Sequence, residues 1–206
     1  MNIKRIIQES VKETLNEMFS SNLYHYTDER SLLDILKFNR IRLTKNGKYH
    51  TNNVQNDQRV NQGYPFYLSF TRIKSNTSGY GSWRFNNGIC IVRIEFNGDL
   101  LNQRYKGQPV DYFMGKNKFY TDKAHDARLV QSEDRLLSKN PYLENVDKYI
   151  KEIDIYVPDS NFGYVRRWLY GFLNSETVMH SPSANKIKIF TNIENFNKKL
   201  QEVPFL

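Results

Sequence analysis

Residues Ile89–Phe96 alternate with a period of two: Cys90, Val92, Ile94 and Phe96 fall on one side, Ile91, Arg93 and Glu95 on the other. A strand of this kind leaves its N–H and C=O groups unsatisfied unless other strands pair with it. The chain therefore has to build a sheet, and further segments can supply it. Leu23–Thr27, Ile41–Leu43, the aromatic Phe66–Thr71, a segment near Pro109–Phe113, Ile153–Val157 and Ile187–Phe190 all read as extended. Glu133–Ser138 reads equally as a helical turn or a strand.

Helical patterns sit mostly at the two ends. Ile3, Ile7, Val11, Leu15 and Met18 mark an amphipathic helix within residues 1–20. A second helix is expected over Asp28–Phe38, capped by Thr27, with early acids that suit the N-terminal dipole. A short helix or turn at Asp99–Gln103, a helix over Asn161–Asn174 and a last one over Ile193–Val203 complete the set. Residues 45–64, 74–87 and 116–128 read as loops, and loops this long are usually functional or disordered. The class is α+β, with helices at the start and end.

The 206 residues fit one domain, and 39% hydrophobic content is enough for a core. No apolar run approaches the ~18–20 residues of a membrane span, and the start MNIKRIIQES lacks a signal region. A cytoplasmic location and no membrane partner are expected. The single cysteine, Cys90, cannot form an internal disulfide and reads as a packed apolar residue. The net charge of +8 is localised: between residues 35 and 94 ten lysines and arginines face one acid, Asp57, a local +9. The other 146 residues hold twenty cations against twenty-one acids. Such asymmetry points to an anionic ligand, with phosphates first.

The sequence has no P-loop, no GxGxxG and no HExxH, and His25, His50, His125 and His180 lack metal-ligand spacing, so no metal is expected. Three short segments carry candidate chemistry. Tyr24-His25-Tyr26-Thr27 ends a strand, Tyr67-Leu68-Ser69-Phe70-Thr71-Arg72 is a strand closing on hydroxyls and a cation, and Gln131-Ser132-Glu133-Asp134-Arg135 carries acids. Read singly, His25 is more often a structural histidine, Ser69 and Thr71 simply alternate outward, and an acid of the last segment is a surface ion pair with Arg135.

In order and spacing these segments resemble the motifs of the ADP-ribosyltransferase superfamily, in particular its histidine branch and DNA-modifying toxins of the DarT type. The likeness covers roughly residues 23–157. It implies a single-domain split β-sandwich, with residues 1–20 as an added N-terminal helix and 158–206 as a C-terminal helix–strand–helix. It also implies NAD as the ADP-ribose donor. On that resemblance Glu133 is the catalytic carboxylate and Arg72 a second catalytic residue or a pyrophosphate ligand. His25, Tyr26, Thr27, Tyr67, Ser69, Thr71 and Gln131 would bind the cofactor, and Tyr80 and Trp83 are further stacking candidates. The family's middle residue after histidine is often Gly, where this chain has Tyr26.

The chemistry wants such residues. Cleaving the nicotinamide–ribose bond passes through an oxocarbenium-like state that a nearby carboxylate stabilises. Gln131, two residues before Glu133, resembles the pattern of members that modify acceptors other than arginine. With the basic segment, this makes RNA or DNA the expected acceptor. Alternatives are a protein acceptor, an NAD-dependent RNA 2′-phosphotransferase or NAD hydrolase, and a non-catalytic nucleic-acid-binding protein. The Asn/Lys/Ile-rich composition resembles small proteins of phages and mobile elements, implying a toxin or host-modifying enzyme in a bacterial cytoplasm, with an antitoxin or host protein as partner.

Overall fold

The structure, a computed structural model, describes residues 20–45, 63–72, 74, 89–110, 133–157 and 162–198. The helix expected over residues 3–19, most of the 45–64, 74–87 and 116–128 segments, Tyr80, Trp83 and Gln131 lie outside the described residues.

The described residues form a mixed α+β fold around one eight-stranded sheet. Its strands are β1 (Asn22–Thr27), β3 (Thr44–Lys45), β4 (Phe66–Thr71), β5 (Ile91–Asn97), β6 (Lys106–Val110), β7 (Glu133–Ser138), β9 (Ile150–Tyr156) and β10 (Ile187–Phe190). The order across the sheet is β10-β9-β5-β1-β4-β7-β6, with β3 added to β4. Only β9 and β10 run parallel. A separate ribbon pairs β2 (Arg40–Arg42) with β8 (Tyr142–Glu144). The helices are α1 (Glu29–Phe38), α2 (Gly98–Asn102), α3 (Phe162–Leu173), α4 (Glu176–Met179) and α5 (Ile193–Lys198).

The expected alternation of β5 holds. Val92, Ile94 and Phe96 enter the large core with Leu23, Phe70, Ile153 and Ile155, beneath α1. Ile91 lies on the other face, in a smaller core with Tyr24, Tyr26, Phe190 and the α5 residue Phe196. Because that second face is also covered, Arg93 and Glu95 are buried.

Two local readings change. The cap of α1 is Asp28, whose Oδ1 accepts a 2.7 Å hydrogen bond from Ser31 N, while Thr27 is the last residue of β1. A carboxylate one residue closer to the helix takes the free N–H. Glu133–Ser138, undecided by pattern, is a strand held by β4 on one side and β6 on the other. Among the described residues no helix is long and apolar enough to cross a membrane.

The sheet is unevenly joined at its centre. β1 and β5 share six registered pairs, whereas β1 and β4 are registered at one, Tyr24 with Thr71. Beyond that pair a side chain makes the connection.

Candidate functional site

That side chain is His25. Its Nδ1 lies 3.1 Å from the main-chain oxygen of Ser69. A carbonyl only accepts, so Nδ1 carries a proton and donates it, leaving Nε2 to accept in the neutral ring. The imidazole also meets the edge of Phe70, with ring centroids 6.3 Å apart. Parity places His25 on the large-core side of β1, as with Leu23.

His25 opens on a cleft of about 400 Å3. β1 contributes His25 and Thr27, α1 contributes Ser31, Asp34 and Phe38, and β2 contributes Arg40 and Arg42, with Leu68 and Tyr142 closing the wall. This volume suits a small-molecule site. The lining sets two guanidiniums against one carboxylate and adds hydroxyls and two rings. The guanidinium of Arg40 lies 4.3 Å from the ring centroid of Tyr142 and 5.3 Å from that of Phe38. Lys37 Nζ is 5.3 Å from the same Phe38 ring. Among the described residues no carboxylate forms an ion pair with Lys37, Arg40 or Arg42.

The residues expected from sequence divide between the sheet's two faces. His25 and Thr27 line the cleft. Ser69 meets His25 through its carbonyl, while Tyr67, Ser69 and Thr71 alternate away from the core residues Leu68 and Phe70. The Tyr67 ring instead carries the Arg135 guanidinium 4.1 Å from its centroid. Thr71 is buried, and so is Tyr26, whose hydroxyl donates to the Lys74 carbonyl. Glu133 opens β7 in register with Thr71 and Val110. Tyr24, Thr71 and Glu133 thus form one transverse row; at ~4.8 Å a strand, Glu133 stands about 10 Å from Tyr24 along the backbone row.

Arg72, just beyond β4, is 40% exposed, with Nε 3.5 Å from Oδ1 of the buried Asp134. Asp134 also accepts from Ser20 N at 3.2 Å. Burial pushes its carboxyl up, against the pull of Arg72 and the Ser20 bond. The pair sets the cation beside the residue that follows Glu133.

Sequence reasoning missed one constellation. Arg93, counted within the basic segment, is fully buried. Its Nη2 and Nε reach Asp154 Oδ2 at 2.7 and 3.1 Å, Nη1 donates to Lys74 O at 2.9 Å, and Nη2 donates to Phe196 O at 2.5 Å. Its guanidinium also stacks 3.9 Å from the Phe196 centroid. Burial pushes the Asp154 carboxyl up to about 7, with neighbouring Glu152 adding to the rise and Arg93 opposing it. Arg93 and Asp154 are partners in strand register, so a pairing of their two alternating segments could have revealed them. The basic wall is smaller by that residue.

Cys90 is buried beside Glu29, and burial followed by that carboxylate holds its thiol protonated. Among the described residues no group of three or more His, Cys, Asp or Glu is placed to hold a metal ion. Compared with known proteins, the chain matches no family model, no curated protein and no solved structure.

Proposed function

We propose that the protein is an NAD-dependent ADP-ribosyltransferase that binds NAD in the His25 cleft and transfers ADP-ribose to a nucleic acid. The observation that carries this reading is the parting of β1 from β4 at a single registered pair, with His25 spanning the gap at the edge of the cleft. A dinucleotide needs hydroxyl partners for its riboses and cations for its pyrophosphate. Asp34, Thr27 and the Nε2 of His25 are suited to the first and Arg42 to the second.

Glu133 is the proposed catalytic carboxylate. It is in register with Thr71, and so in the row that alternates away from the His25 cleft, and the ribose–nicotinamide end of NAD reaches it through the parting of β1 and β4. In the reaction the ribose–nicotinamide bond breaks, nicotinamide leaves with the bonding pair, and an acceptor nucleophile attacks the ribose carbon after losing its proton. A carboxylate about 4 Å from the developing cation, at an effective dielectric of about 20, stabilises it by about 4 kcal/mol. That is worth about three powers of ten in rate. Arg72, held by Asp134, is the proposed cation at that end of the site.

The test is incubation with radiolabelled NAD plus RNA, single-stranded DNA or total protein, followed by mass analysis of the labelled product. ADP-ribose joined to nucleic acid supports the reading. Label on protein alone moves the acceptor, free ADP-ribose alone makes the protein a hydrolase, and intact NAD in every reaction refutes the enzyme.

A further inference from the structure

We infer that the Phe38–Arg40–Tyr142 stack at the cleft mouth is a binding site for single-stranded nucleic acid. It deepens the acceptor assignment above, but its physical basis is separate from NAD cleavage.

Arg40 is built to present its donors. Its guanidinium lies against two aromatic rings, which fix its plane without occupying its N–H groups. It forms no ion pair with a carboxylate among the described residues, although its backbone partner across the ribbon is Glu144. Arg42 and Lys37 flank it in the same condition. Phe38, at the end of α1, remains 50% exposed. A large apolar ring left half in water, beside cations with no ion-pair partner among the described residues, offers a flat face and anion donors within one short reach.

Each nucleotide of a single strand presents that combination, a π-face and a phosphate. An acidic peptide presents anions without flat rings. In a duplex the base faces are already stacked on one another, so the Phe38 ring has nothing to cover it. Asp34, one turn before Phe38 on the cleft wall, repels phosphate, which orients the strand with its phosphates toward Arg40 and Lys37.

The experiment is fluorescence anisotropy with a labelled single-stranded DNA oligonucleotide of mixed sequence, its RNA counterpart and the DNA duplex, at low salt and without NAD. The full chain is expected to bind both single strands at least about ten-fold tighter than the duplex, and Phe38→Ala and Arg40→Ala each to weaken binding about ten-fold. Arg40→Lys keeps the charge and loses the planar stack, so it is expected to fall between wild type and Arg40→Ala. Circular dichroism confirms that each variant folds, and the exposed Phe38→Ala serves if Arg40→Ala does not.

Equal affinity for duplex and single strand overturns the inference, as does wild-type binding by both Phe38→Ala and Arg40→Lys. Competition by polyglutamate as strong as by unlabelled strand also overturns it, in favour of an acidic protein surface. Nicotinamide release, measured separately with RNA or single-stranded DNA present, keeps the two readings apart. Release with no strand binding sinks this one alone, and strand binding with no release sinks the enzymatic reading alone.

Discussion

The imidazole of His25 on β1 and the main-chain oxygen of Ser69 on β4 are joined by a 3.1 Å hydrogen bond where the two strands are registered at only one residue pair. The side chain completes what the ladder leaves open, and the cleft begins at its edge.

His25→Ala removes that donor and leaves a partly buried carbonyl without it. The cost is about 1 kcal/mol, or a melting temperature lower by roughly 2–4 °C, measured by thermal unfolding. On the proposed function the same variant raises KM for NAD more than it lowers kcat, because His25 holds ribose and does not touch the bond that breaks.

Arg93→Met is expected to destabilise far more. It strips a buried carboxylate of its cation and leaves the Lys74 and Phe196 carbonyls without their donor. Breaking one side of a buried pair costs roughly 3–5 kcal/mol, which urea unfolding will register. Replacing both partners, as Arg93→Met with Asp154→Leu, should recover part of the loss.

Asp154 also predicts a pH dependence. Its carboxyl titrates at about 7 in the folded protein and near 3.9 in the unfolded chain. The folded state therefore holds the proton over that interval and the unfolded state does not. This group's contribution to stability is fully present below about pH 4 and is lost as pH rises toward about 7. Urea titrations across the interval should show wild type losing stability relative to Asp154→Asn, which has no proton to release; parallel curves would remove Asp154 from the account.

Asp28→Ala removes the α1 cap and is expected to cost about 1 kcal/mol, with Thr27→Val close to neutral at that helix end. The reverse ranking would return the cap to Thr27.

Much of the sheet was legible because period-two alternation reports burial directly. Phe66–Thr71 emerged with the observed bounds, and Val92, Ile94 and Phe96 entered the core as patterned. Glu133–Ser138 was not legible, since Asp134 and Arg135 are buried by strands from elsewhere in the chain. Adjacent residues of a strand face opposite ways, so His25 and Tyr26 could not both enter one cleft. Which of them did depended on register, a long-range property. The Arg40–Tyr142 contact was equally hidden, because the β2–β8 ribbon joins residues about a hundred positions apart. Arg93 was misjudged because an arginine is ordinarily a surface residue and its partner lies four strands later in the chain.

The central claim is tested most directly by the initial rate of nicotinamide release from NAD by the full chain and by Glu133→Gln, with RNA or single-stranded DNA present. Measurable release by the wild type is expected, with a fall of about three powers of ten in the variant and the fold unchanged by circular dichroism. Equal rates for the two proteins, or no release by the wild type, would contradict the claim.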